Sequence, residues 1–290
     1  MSAADILQRD SLSECGARQR LHKLLDPGSV RELLDPFQRL ASPWLERQGI
    51  VAQSDDGVVA ARGRLDGHEV VALAIEGAFL GGSLGEVSGA KIAGMLELAA
   101  DANRDGRPTA ALLLLETGGV RLQEANLGLA AIADIHAAIV DLRRYRPVIA
   151  LSVGPVGCFG GMGIAAGLCS YLLLTREARL GLNGPAVIEQ EAGTAEYDAS
   201  DRPLIWSLSG GEQRHATGLA DACCVDDLRA IRRQVQDWLR LGLPPRHRSE
   251  RIDYYRARLA QLDAKAQADA GRARLALSLA QGDAIERGLS

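Results

Sequence analysis

Two glycine-rich segments stand where a strand must hand over to a helix. The first is Glu116-Thr117-Gly118-Gly119-Val120-Arg121-Leu122-Gln123-Glu124, which follows the apolar run Ala110–Leu115 and precedes the apolar-periodic stretch Leu122–Leu142. Backbone N–H groups in such a turn have neither a ladder nor a helix partner, and glycine leaves them unshielded. The helix dipole favours negative charge at the same place. N–H groups of Gly118, Gly119 and Val120 aimed at one point would form an oxyanion hole. The second segment is Gly154-Pro155-Val156-Gly157-Cys158-Phe159-Gly160-Gly161, between the apolar run Pro147–Val153 and the small-residue stretch Met162–Leu168. Two such turns imply two facing anion sites, or one site and one packing turn.

Other chemistry-bearing residues have competing readings. Gly81 to Lys91 (GGSLGEVSGAK) resembles a phosphate loop, but only three residues separate Gly85 from Gly89 and Ala90 precedes Lys91, so the Walker spacing fails. A close-packed loop with room for a ligand chain at Gly81, Gly82 and Ser83 fits better. Gly161-x-Gly163-x-x-x-Gly167 lacks the acidic residue that would close a dinucleotide site. Cys158 reads as a small buried residue rather than an activated thiolate, and His136 as a core or interface histidine. Glu116 and Glu124 flank the first turn, where each is suited to capping, to pairing with Arg121 or to facing a ligand. Lys91 and Arg121 suit either a ligand phosphate or an ion pair.

The elements that must position these groups follow from periodicity. Strands are expected at 58–65 and 69–75, joined by Asp66-Gly67 as a hairpin, then at 109–115, 147–153 and 170–175. Helices are expected at 86–102, 122–142 and 160–168, with a further short strand at 179–182 and another at 220–225. This alternation implies an α/β fold with a mostly parallel sheet. Three regions are expected: a helical extension over 1–50, the main domain over 51–240 and a helical arm over 241–290. The net charge of −4 gives no basic footprint for nucleic acid. Pro147–Thr175 carries no charged side chain, but its glycines and prolines make it a buried core rather than a membrane span. The five cysteines form no C-x-x-C pair and the histidines have no ligand spacing. With no apolar leader at the start, the expectation is a metal-free protein of the reducing cytoplasm.

A family resemblance rests on four segments. They are Gly82-Ser83-Leu84-Gly85 with Gly89-Ala90-Lys91, Gly118 to Glu124, Gly160-Gly161, and Gly184-Pro185-x-Val187-Ile188-Glu189-Gln190. Together, over roughly 55–225, they resemble the carboxyltransferase β subunits of acetyl-CoA carboxylase, members of the crotonase-like superfamily. Ser54 to Val59, Leu113 to Leu129 and Gly181 to Pro185 look closer to the β subunits of biotin-independent malonate decarboxylases. Two departures favour that branch. Only Cys15 precedes Cys158, which rules out the four-cysteine zinc ribbon of the bacterial carboxylases. Gly157-Cys158-Phe159 also replaces their hydroxyl-rich turn.

The resemblance implies a crotonase-like ββα superhelix with stacked sheets and flanking helices. It implies decarboxylation of a malonyl thioester carried on the phosphopantetheine-type arm of an acyl carrier protein, with no prosthetic group, biotin or metal in this chain. Gly118, Gly119 and Val120 would hold the enolate, with Gly160 and Gly161 facing the acyl group or a partner. The arm would pass Gly81, Gly82 and Ser83, and Lys91 or Arg121 would meet its phosphate. A γ subunit would complete the site, and an α subunit would transfer the carrier between acetate and malonate. Two alternatives stand beside this: a biotin-dependent carboxyltransferase β subunit, and a non-catalytic scaffold.

Overall fold

The computed structural model describes residues 8–262, 269–275 and 277, so much of the expected arm over 241–290 lies outside the described residues. In chain order the first half contains α1 (Ala17–Leu24), β1 (Arg31–Leu33), α2 (Pro43–Arg47), β2 (Val58–Leu65), β3 (His68–Ile75), α3 (Glu86–Arg104), β4 (Ala110–Leu114) and α4 (Leu127–Leu142). The second half contains β5 (Val148–Ser152), α5 (Gly161–Leu168), β6 (Tyr171–Thr175), α6 (Pro185–Ala192), α7 (Arg202–Ser209), α8 (Gly211–Ala216), β7 (Ala222–Cys224), α9 (Leu228–Leu241) and α10 (Ile252–Leu259).

The strands form one seven-stranded sheet in sequence order. β1, β2 and β3 are antiparallel, and β3 to β7 run parallel. Asp66 and Gly67 both have positive φ, 52° and 76°, as a type I′ hairpin turn requires. β4, β5 and β6 are buried on both faces, which explains their unbroken apolar sequences. Leu113 points into a core with Ile92 and Leu96 of α3, Ile135 and Ile139 of α4, and Met162 of α5. Leu112 and Leu114 point into a second core with Leu21 and Leu24 of α1 and Ile231 and Val235 of α9. The described part of the expected helical extension over 1–50 therefore contains an edge strand as well as helices, and α1 packs on the sheet.

Past the carboxyl ends of the parallel strands lies a second, irregular tier of backbone pairing. Leu84 bridges Val120, Thr117 bridges Cys158, Cys158 bridges Leu180, and Arg179 bridges Gly210. The short strand expected at 179–182 is reduced to the bridges of this tier. The helix expected from residue 122 starts later. Leu122–Glu124 is a 3-10 turn, and Ala125 has φ 51°, outside helical backbone. Glu124 is drawn inward, accepting from Glu86 N and from Arg121 Nη1, which turns the chain before α4 begins.

Candidate active site

The first glycine turn leaves fewer free donors than its sequence suggests. Gly118 N donates to Gly81 O at 2.9 Å, and Gly119 N donates to Thr117 Oγ1 at 3.1 Å. Gly119 O accepts from Leu84 N at 2.9 Å, and Arg121 N donates to Leu84 O at 2.8 Å. Of the three expected donors Gly118, Gly119 and Val120, Val120 N is the one that has no partner among the described residues. Gly118 and Gly119 thus shape the turn, and the expected donor role narrows to Val120.

The second turn is built the same way. Cys158 N donates to Arg179 O at 2.8 Å, Phe159 N to Thr117 O at 3.0 Å and Gly160 N to Leu182 O at 2.7 Å. Gly161 and Met162 open α5, so their N–H groups point out of the helix start without a partner among the described residues. Burial pushes the Cys158 thiol well above its ordinary value, which makes it an inert packing residue.

The two turns meet backbone to backbone. A Cβ on Gly160 would stand 3.1 Å from Gly119 Cα and 3.9 Å from Val120 N. Gly119 has φ 120°, and Gly160 has φ 64° with ψ −147°, a region open essentially to glycine. Val120 N–H therefore lies beside the Gly160–Gly161 backbone. Gly118 is exposed, and Val120, Gly160 and Gly161 are half-buried.

The loop before α3 closes one side of this arrangement. Gly81 is exposed, and a Cβ there would meet nothing within 4 Å. A Cβ on Gly82 would stand 1.9 Å from Glu116 O, so Gly82 serves close backbone contact with the first turn. Ser83 is half-buried; its carbonyl accepts from Arg121 Nη2 at 2.9 Å and its Oγ has no hydrogen-bond partner among the described residues.

Lys91 and Arg121 are both turned inward. Lys91 is 4 % exposed, and its Nζ donates to Asp55 O at 2.8 Å and to Val58 O. Burial lowers its pKa against the pull of Asp55 and Asp56. Arg121 is fully buried, with Nη1 2.9 Å from both carboxylate oxygens of Asp56 and 2.8 Å from Glu124 Oε1. The same Asp56 carboxylate accepts from Ser42 N and Ser88 N. Arg121 and these carboxylates hold the loop before α3 against the first turn, and both side chains expected at a ligand phosphate have internal partners instead.

Glu116 resolves in a way the sequence did not suggest. Its carboxylate pairs with Arg20 of α1 and accepts from Val156 N at 3.4 Å. Arg20 is 4 % exposed and Glu116 5 %. No local pattern links α1 to a turn so distant in sequence, so Arg20 escaped notice. Among the described residues, no group of three His, Cys, Asp or Glu side chains is placed to hold a metal, and no helix is long and apolar enough to cross a membrane. A separate open cavity of about 470 Å³ lies between the end of α4 and residues 243–250, lined by neither glycine turn.

Strand-to-helix turns converging past a parallel sheet, with a second tier of bridges, define a carboxyltransferase-type chain of crotonase-like fold. Residues 14–262 match the carboxyl transferase domain family, and the chain belongs to it. It is 40 % identical over 237 residues to the malonyl-S-ACP:biotin-protein carboxyltransferase MADC of Malonomonas rubra, covering 78 % of this chain and 74 % of that protein. It is 68 % identical to a chain of a Pseudomonas malonate decarboxylase hetero-tetramer crystallised with malonate, with a TM-score of 0.92 over 95 % of this chain and 100 % of that one. A chain of the Pseudomonas malonate decarboxylase MdcD–MdcE hetero-dimer is 62 % identical, with a TM-score of 0.75 over 88 % and 98 % of the two chains.

Proposed function

We propose that this chain is the β subunit of a cytoplasmic malonate decarboxylase and acts on malonyl-S-acyl-carrier-protein. The supporting observation is the contact between the two glycine turns, in a chain 68 % identical to part of a malonate-bound decarboxylase assembly. In the reaction, the bond between the α-carbon and the carboxylate breaks. Its electron pair moves into the thioester, CO2 leaves, and charge builds on the thioester oxygen. In this reading Val120 N–H and the open donors at the start of α5 would hold that oxygen. Each such donor is worth about 10²–10³ in rate. A proton then adds to the α-carbon and gives the acetyl thioester.

The arm of the carrier brings the substrate, and this chain supplies no prosthetic group, biotin or metal in the proposed step. Exposed Gly81 leaves room for the arm beside Gly118. A homologous γ subunit completes the site, and an α subunit exchanges acetate for malonate on the carrier. The likeness to MADC favours a second reading, carboxyl transfer to a biotin protein. The two separate in one assay: the purified complex turning over malonyl-carrier with and without avidin. Avidin-insensitive decarboxylation is expected. Sensitivity to avidin selects carboxyl transfer, and a fully assembled complex without turnover leaves a scaffold.

A further inference from the structure

His136 lies on α4, and its Nε2 is 2.8 Å from Gly161 O, the carbonyl of the first residue of α5. One turn earlier on the same helix, Ile132 packs against the same glycine: a Cβ on Gly161 would stand 2.6 Å from Ile132 Cγ2. Residues four apart share one helix face. α4 therefore grips Gly161 at two points, one apolar and one polar. A carbonyl accepts only, so His136 is the donor and carries its proton on Nε2. Among the described residues, this ring makes no other hydrogen bond.

The bond has a directional consequence. Gly161 C=O and Met162 N–H belong to one peptide plane, and in a trans peptide they point in opposite directions. Fixing the carbonyl toward α4 fixes Met162 N–H away from it. A hydrogen bond to the carbonyl also polarises the same amide and strengthens its N–H as a donor. From this geometry we propose that His136 is a positioning residue for the second glycine turn, holding the Gly161–Met162 peptide so that its N–H serves the oxyanion. The inference rests on the decarboxylase reading above. It assigns His136 no contact with substrate and no proton transfer. The donor is the Nε2–H itself, so the role requires no proton to leave the ring.

The test compares three variants in the assembled complex, with wild-type turnover of malonyl-carrier as the control. His136→Leu keeps bulk without a donor, His136→Asn is polar but too short to reach, and His136→Gln can present an amide N–H to the carbonyl. The expected result is a fall of about tenfold in kcat for Leu and Asn, an unchanged KM for the carrier, and recovery to within about twofold of wild type in Gln. The pH profile of the Gln variant should superimpose on wild type. If Leu does not fold, the Asn and Gln pair decides alone. Wild-type kcat in Leu or Asn overturns the proposal. So does a Gln variant as slow as Asn, or one whose pH profile loses a limb, since either marks a titrating acid instead. A wild-type complex that fails to decarboxylate malonyl-carrier refutes the decarboxylase reading. In that case the Nε2–H tautomer, read from histidine ¹⁵N shifts, still tests the bond.

Discussion

The two glycine turns are built alike but held differently. The first is clamped by buried charge. Arg121, Asp56 and Glu124 fix its outer edge, and Arg20 with Glu116 fixes its base. Among the described residues the second turn has no ion cluster of its own, and it shares a charged anchor with the first: Glu116, paired with Arg20, also accepts from Val156 N at 3.4 Å. Its backbone is held by neighbouring loops at Arg179 and Leu182 and by the first turn at Thr117. The helix it opens is secured at both ends from outside. His136 takes the Gly161 carbonyl, while Arg143 donates to Leu168 O and Arg248 to Gly167 O at the far end, where cations suit the helix dipole. Breaking a buried ion cluster strands charge, whereas removing one backbone contact costs a single hydrogen bond. The first turn is therefore rigid by electrostatics and the second by many small contacts.

The sharpest test of both turns together is at their contact. Gly119→Val puts a β-branched side chain at φ 120° against the Gly160 backbone. Activity should fall by about 10² or more in kcat with the fold retained. Near-normal turnover from a folded variant would remove this contact from the mechanism.

Arg121→Met breaks the comparison at its electrostatic side. It strands Asp56 and Glu124 in the interior and should cost about 3–5 kcal/mol in denaturant unfolding of the complex. A loss below about 1 kcal/mol would mean the charge cluster is not what holds the first turn.

A smaller effect is expected at Lys91. Lys91→Met leaves the carbonyls of Asp55 and Val58 short of a donor and should cost about 1–3 kcal/mol. KM for the carrier and its salt dependence should stay as in wild type. A KM that rises and loses salt sensitivity would restore this side chain to the ligand.

The gentlest probe works on the far end of α5. His247 Nε2 lies 3.3 Å from Ser170 Oγ, beside Arg248. Burial, reinforced by Arg143, holds its pKa below the ordinary imidazole value. A base depressed in the fold is neutral there. Its contribution is complete above the unfolded value of about 6.5 and drains away as pH falls below it. His247→Gln should therefore flatten part of the decline in Tm between about pH 7 and pH 5. Parallel Tm curves for variant and wild type across that window would show that His247 does not titrate between the folded and unfolded states.

Much of the fold was legible because its signals are local. The Asp66-Gly67 hairpin, the apolar runs of β4, β5 and β6, and the small-residue helix after Gly160-Gly161 each follow from turn chemistry or side-chain period. So does the position of both glycine turns. β1 was missed because three residues carry no period, and its place comes from pairing with β2. The late start of α4 was missed because Leu122 to Leu142 has helical spacing throughout. Only the inward pull on Glu124 breaks it.

The chain by itself determined where loose backbone would occur and that two such places exist. Tertiary structure decided which donors stay free. Gly118 N–H is consumed by Gly81 O and Gly119 N–H by Thr117 Oγ1, while Val120, Gly161 and Met162 keep theirs among the described residues. It also turned Lys91 and Arg121 inward and brought Arg20 under Glu116. The physical reason is that a polar group's partner is chosen by what the fold carries next to it, and for these groups that partner is set by tertiary packing rather than local pattern.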